Sequence, residues 1–166
     1  MGSGIGLKCS KCHKGYTIIT GGGMMFPSVY RELLDDIKKG RYGKEWQDIA
    51  QKTPHVAVDA EDYVYSCNKC GAWKIEKGLS LYEPNDQESL KKKQYGIKTV
   101  EEWGHVPYVT NYDLVTDYHA VKRYIHKCDK CGGRMHRVKE KEFNNLPCPK
   151  CGGNPIKGYN EYICWD

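Results

Sequence analysis

The spacing of apolar positions divides the chain into short β-like runs and a few helical stretches. Gly15 to Thr20 reads as a strand, and Gly21-Gly22-Gly23 then turns the chain. From Pro27 the pattern becomes helical, with Val29, Leu33 and Ile37 on one face and Ser28 placed as N-cap. Lys38-Lys39 and then Gly40 supply the cations and the glycine that suit a helix C-terminus. A second helix is predicted over Lys44 to Lys52, presenting Trp46, Ile49 and Ala50, and Pro54 prevents its continuation. Val56–Val58, Tyr63–Ser66, Trp73–Ile75 and Leu79–Tyr82 read as strands of one sheet. Thr99 caps a short turn containing Glu101-Glu102-Trp103. Asn111 to Tyr124 suits a helix through Leu114, Tyr118 and Val121, and the expectation is a helix that becomes a strand at Tyr124.

The apolar material behind this pattern is thin. Leu, Ile, Val and Phe together are 30 of 166 residues, about 18%, which is below the ~20% level at which a chain folds readily on its own core. Thirteen tyrosines and four tryptophans supply part of the deficit. Nine cysteines point to a cross-link or a metal for the rest. The first residues carry neither the basic n-region nor the apolar h-region of a secretory signal, and no run approaches the ~18 apolar residues of a membrane span. A cytoplasmic location is therefore expected, where cysteine pairs hold metal more often than they form disulfides.

Eight of the cysteines form four Cys-x-x-Cys pairs: Cys9/Cys12, Cys67/Cys70, Cys128/Cys131 and Cys148/Cys151. Such a turn presents two thiolates as two corners of a tetrahedron with Zn–S near 2.3 Å. Lys precedes the second cysteine in every pair (Lys11, Lys69, Lys130, Lys150), and Gly71, Gly132 and Gly152 follow it in three. The first knuckle departs, with His13 and Lys14 before Gly15. Tyr63 to Gly71 reads against Tyr124 to Gly132 as a local repeat in which a strand runs into a knuckle. The last interval holds 16 residues and fits the four-cysteine zinc spacing, so neighbours along the chain are expected to share a metal. That pairs Cys9/Cys12 with Cys67/Cys70, and Cys128/Cys131 with Cys148/Cys151. Cys164 is read as a buried, inert thiol.

Lys127-Cys128-Asp129-Lys130-Cys131-Gly132-Gly133 with Pro147-Cys148-Pro149-Lys150-Cys151-Gly152-Gly153 resembles the zinc-ribbon family over about forty residues. The resemblance implies two knuckles on β-hairpins and a third strand, here Ile156 to Trp165. The fold class so implied is a small α+β metal-stabilised protein of two zinc-ribbon-like β units, the first with an inserted helical segment at about 28–52. The domains would be 1–84, a linker at 85–105 and 106–166, with two Zn2+ per chain. Cys-x2-Cys-Gly with Cys-Pro-x-Cys-Gly also resembles rubredoxin, which implies iron and electron transfer as the alternative.

Charge is informative by its distribution. The formal +5 falls to +1 when two zinc tetrathiolates contribute −2 each. Residues 1–117 hold 16 basic and 16 acidic side chains, whereas 118–166 hold 10 and 5. Lys122, Arg123, Lys127, Arg134, Arg137, Lys139 and Lys141, with Tyr118, His119, Tyr124, His126 and His136 among or just before them, are candidate contacts to RNA or single-stranded nucleic acid. A protein partner docked on Tyr30, Tyr42 and Trp46 is the competing reading; no membrane partner is expected.

Signals of catalysis are weak. No His has Glu two residues on, as a zinc deaminase requires, and His-Glu-x-x-His is absent. Gly21–Gly23 lacks the Lys-Ser/Thr of a phosphate-binding loop. Eight paired cysteines would close two sites and leave no open position on either metal, so the expectation is a non-catalytic protein.

Overall fold

The computed structural model describes residues 2–153 and 156–165, the latter as backbone only. In chain order the elements are β1 (Gly2–Cys9), β2 (Gly15–Gly21), α1 (Phe26–Lys38), α2 (Lys44–Lys52), β3 (Ala57–Val58), β4 (Asp62–Cys67), β5 (Trp73–Lys77) and β6 (Leu81–Pro84). There follow α3 (Gln87–Lys92), β7 (Gln94–Tyr95), β8 (Lys98–Thr99), α4 (Val100–Trp103), α5 (Asn111–Thr116), β9 (Tyr118–Lys122) and β10 (Met135–Arg137). A 3-10 turn (Glu140–Asn145) and β11 (Ile156–Trp165) complete the chain. They form two compact units, and neither is continuous in sequence. The first unit takes residues 1–24, 62–77 and 125–166, and the second takes 25–61 and 78–124.

The first unit holds every Cys-x-x-Cys pair and one antiparallel sheet ordered β10-β4-β2-β1-β11, with β5 on the other edge of β4. Two copies of one motif make it up. The hairpin β1–β2 carries the Cys9/Cys12 knuckle in its turn, and β11 adds to β1 from Gly2↔Trp165 to Cys9↔Ile156. Likewise β4–β5 carries Cys67/Cys70, and β10 adds to β4 with Met135 opposite Cys67. A single pairing, Gly21↔Asp62, joins the two motifs through β2 and β4. Leu7, Ile18, Val64, Val138, Phe143 and Leu146 pack around Cys9 and Cys148; Tyr63, Tyr65 and Met135 pack around Cys67 and Cys128.

The second unit contains no cysteine and relies on burial of apolar surface. Helix α1 buries Phe26, Tyr30, Leu33 and Ile37, a stripe at i, i+4, i+7 and i+11. These pack with Val56, Val58, Leu81, Leu90, Val109, Leu114 and Tyr118 above the three-stranded sheet β3-β6-β9. Ile37 and Leu81 are fully buried, each contributing on the order of 1.5–3 kcal/mol. Capping boxes fix the starts of α4 (Thr99 with Glu102) and α5 (Thr110 with Asp113).

Several expectations are corrected. The linear domains 1–84 and 106–166 are replaced by two interleaved units, because the strands that complete each hairpin lie far along the chain. Residues 85–105 are not a linker: they form α3, β7, β8 and α4 and bury Leu90, Tyr95 and Val100. The helical segment at 28–52 belongs with 78–124, not with the first knuckles. Leu81–Pro84 leaves the knuckle sheet to pair with β3 and β9. Pro27 sits in the first turn of α1, which starts after Met25, so Ser28 is inside the helix and caps nothing. Tyr30 replaces Val29 on the buried stripe. The helix-to-strand change falls at Tyr118, and Tyr124 to Lys127 carries only a bridge from Lys127 to Arg134, so the repeat with Tyr63–Gly71 stops at the knuckle. The side chain of Cys164 lies outside the described residues.

Lys93 ties the second unit together, its ammonium 2.5 Å from Asp113 and 2.6 Å from Asp117. Burial alone would raise Asp113, but Lys93 and Thr110 outweigh it and hold the carboxyl low; Asp117 is lowered first by Lys93. Carboxyls depressed in the folded state stabilise it above their unfolded pKa of about 3.9, and that stability is lost as pH falls through the folded values. Lys93→Met should therefore cost about 1–2 kcal/mol in urea unfolding at pH 7. The difference from wild type should shrink towards zero below pH ~2.

Candidate metal centres

Four thiol sulfurs converge at each of two places. One group is Cys9, Cys12, Cys148 and Cys151, the other Cys67, Cys70, Cys128 and Cys131, with all sulfurs of a group within 4.8 Å of one another. In the first, Cys9 and Cys151 are 3.8 Å apart and Cys12 and Cys148 3.7 Å. In the second, Cys67–Cys131 and Cys70–Cys131 are 3.5 Å and Cys70–Cys128 3.6 Å. Zn–S bonds of ~2.3 Å in a tetrahedron imply a sulfur–sulfur edge of about 3.8 Å, whereas a disulfide would be about 2.05 Å. The spacing is that of a tetrathiolate, and all eight cysteines are free. Either group could hold a metal ion.

The grouping corrects the expected pairing of neighbours: the outermost knuckles share one site and the inner two share the other. The sheet explains why. β11 returns along β1 and delivers Cys148/Cys151 to the β1–β2 turn, while β10 returns along β4 and delivers Cys128/Cys131 to the β4–β5 turn.

All four knuckles have the same backbone. The amide of the residue after the second cysteine donates to the carbonyl of the first: His13 to Cys9, Gly71 to Cys67, Gly132 to Cys128 and Gly152 to Cys148, at 2.8–3.0 Å. That residue has a positive φ, 60–70° at the three glycines and 56° at His13. His13 thus occupies the left-handed position that glycine fills elsewhere, a strain of roughly 1–2 kcal/mol. It is exposed and adjoins a ligand without joining the site.

The next residue distinguishes the two knuckles of each site. A Cβ on Gly133 would lie 3.1 Å from the Cys67 sulfur and 3.2 Å from Lys69 Cβ, and one on Gly153 would lie 3.0 Å from Lys11 Cδ. Each site joins one knuckle followed by Gly-Gly to one that is not. The Gly-Gly pairs after Cys131 and Cys151 mark in the sequence two knuckles that do not share a site, a signal that interval length obscured.

Electrostatics separate the sulfurs within each group. The amides of Cys70 and Lys69 hold the Cys67 thiol down to about 6. Burial opposes ionisation of Cys148, but the Tyr16 hydroxyl, 3.5 Å away, and the Cys151 and Lys150 amides prevail and bring it to about 6. That hydrogen bond raises Tyr16 to about 12, so the phenol stays protonated and donates. Against the pull of the Gly133 amide, the neighbouring sulfurs push Cys131 up to about 12; against its Gly153 amide, burial and then the neighbouring sulfurs raise Cys151 to about 11. Four thiolates this close need a cation between them, and a dication removes the repulsion that keeps the last protons on. The first cysteine of each knuckle is buried; Cys70 is exposed.

The expected nucleic-acid residues are divided between the two units. Lys122 and Arg123 belong to the second unit, and Lys122 is bound to Glu45 and lies over the Trp46 ring. Tyr118 is buried in that unit's core, and His119 bridges Asn85 and Glu83. In the first unit Lys127, Arg134, Lys139 and Lys141 are exposed, as is Lys130. Arg137 lies 3.4 Å over the Tyr63 ring, and His126 is buried, stacked on Tyr65 and bonded to Glu76. Of the aromatic side chains proposed for a protein partner, Tyr30 is buried and Trp46 donates to the Leu79 carbonyl, leaving Tyr42 partly exposed. No helix among the described residues is long and apolar enough to cross a membrane. No protein-family model, curated protein or solved structure matches the chain.

Metal content of serine variants tests the grouping. Cys128→Ser with Cys148→Ser should abolish both sites, whereas Cys70→Ser with Cys128→Ser should leave one metal per chain by atomic emission spectroscopy. One metal retained in the first double variant would restore the neighbour pairing.

Proposed function

We propose that this chain is a non-catalytic zinc protein: two structural tetrathiolate ions, one per hairpin motif, make its first unit a rigid zinc-ribbon-like platform that binds nucleic acid. The observation that carries the zinc reading is the pair of four-sulfur groups at tetrathiolate spacing with Cys-x-Lys-Cys turns. Four cysteines complete each tetrahedron, so neither ion would have a position for water or substrate, and its chemistry would be that of a staple. The first unit is where such a staple matters, because its described side chains bury few aliphatic groups. Two separated four-cysteine sites favour a structural ion over a redox centre, and zinc is the ion that closed four-cysteine sites commonly hold.

The binding reading rests on Lys127, Lys130, Arg134, Lys139 and Lys141, all exposed in the unit that holds the metals. Lys127 and Arg134 are cross-strand partners, so two cations stand side by side beyond the Cys128/Cys131 knuckle. Phosphate groups would neutralise them, with binding that weakens steeply with salt.

Protein purified without added metal should carry two zinc ions per chain and be colourless; a red ferric-thiolate spectrum would establish the rubredoxin-like alternative. Strong chelation should unfold the first unit, since structural zinc contributes on the order of 10–16 kcal/mol in zinc-finger peptides. Lys127→Glu with Arg134→Glu should reduce retention on a heparin column at low salt, and unchanged retention would remove the nucleic-acid reading.

A further inference from the structure

The first unit also contains a groove that the metals do not explain. Thr20, Tyr63, Val64, Arg137, Val138, Lys139, Glu140 and Phe143 line an open cleft of about 500 Å³, within the range of ligand pockets. Its floor is apolar: Val64, Val138 and Phe143 are 1%, 7% and 4% exposed and belong to the core around Cys9 and Cys148. Its lining also includes the exposed Arg137, Lys139 and Glu140.

The geometry of Arg137 gives the groove its chemistry. Position 137 pairs with Tyr65 across β10 and β4, and its guanidinium lies 3.4 Å over the centroid of Tyr63, two residues before Tyr65 on the same face. The amide of Val138 donates to the Val64 carbonyl at 2.8 Å, which pins the end of β10 beside β4 and holds Arg137 in that register. Tyr63 packs edge-on to Tyr65, which stacks on His126 with ring centroids 3.7 Å apart. The guanidinium thus caps an aromatic cluster that begins in the core, centred over the Tyr63 ring in a residue open to solvent. A planar cation held in place this way can take a base against it, and Arg planes and aromatic rings are the surfaces on which unpaired bases stack. Lys139, two residues on, supplies an ammonium for the adjoining phosphate.

We propose that this groove binds one nucleotide of a single-stranded nucleic acid, with the base stacked on Arg137 and its phosphate at Lys139. The proposal rests on the nucleic-acid reading above and assigns that reading a site. A duplex is disfavoured by the same chemistry, because paired bases within it keep their faces covered.

The full-length, metal-loaded protein is titrated against a fluorescein-labelled eight-nucleotide oligoadenylate RNA, and separately against the same oligonucleotide carrying one 2-aminopurine. Wild type should bind the single strand at low salt, bind the corresponding duplex more weakly, and quench 2-aminopurine as stacking requires. Arg137→Lys keeps the charge and loses the plane; it should weaken binding about tenfold and lose the quenching, with zinc content unchanged. Lys139→Ala should weaken binding and keep the quenching. If Arg137→Lys binds and quenches like wild type while Lys127→Glu with Arg134→Glu loses binding, the groove is overturned and the polyanion surface stands. If wild type binds no oligonucleotide, or binds oligoglutamate equally well, both readings fall.

Discussion

Four sulfurs from two distant parts of the chain must be held within 4.8 Å of one another, twice. Nothing in an all-thiolate cluster favours this by itself: the neighbouring sulfurs raise Cys131 and Cys151 while backbone amides lower Cys67. The knuckles answer part of the problem locally, by turning amides towards sulfur. The sheet answers the rest by returning β11 along β1 and β10 along β4. A cation at each centre would turn this frustrated cluster into the strongest cross-link in the molecule. It would close loops in which Cys12 is 136 residues from Cys148 and Cys70 is 58 from Cys128. The entropy of closing such loops grows only as the logarithm of length, so the longer one is little more costly than the shorter.

Two kinds of stabilisation are thereby kept in separate places. The second unit, with no cysteine, has the large apolar core, the amphipathic α1 and the capped short helices. Among its described side chains the first unit has two small clusters, each containing buried cysteines. The deficit of aliphatic residues in the composition is therefore largely local. It belongs to the half of the molecule that gathers the Cys-x-x-Cys pairs.

Local features were legible in the sequence because they depend on residues near one another. The bounds of α2, the Thr99 cap and the tetrad chemistry of the cysteines follow from short-range patterns, and the strand from Ile156 to Trp165 lies where the zinc-ribbon resemblance put it. What failed was every inference that used proximity along the chain as a proxy for proximity in space. The run 85–105 looked like a linker because it is polar, yet Leu90, Tyr95 and Val100 are buried at a spacing that matches neither the helical nor the strand period. The basic residues from 122 to 141 formed one cluster in sequence and are divided between two units in the fold. The stack of Arg137 on Tyr63 joins positions 74 residues apart, and no local signal announces it.

The second glycine after Cys131 and Cys151 has a consequence for how the protein is made. During synthesis the Cys9/Cys12 and Cys67/Cys70 knuckles emerge long before the other two, so their union is the first four-sulfur site that a nascent chain could assemble. The positions equivalent to Gly133 and Gly153 in those two knuckles are Lys14 and Ala72. A Cβ on Gly133 would stand 3.1 Å from the Cys67 sulfur, and one on Gly153 3.0 Å from the flexible Lys11 side chain. The early pair carries a Cβ at both positions, so neither of its knuckles offers the bare backbone that each observed site sets against its partner. A missing side chain sets the two late knuckles apart from the two early ones.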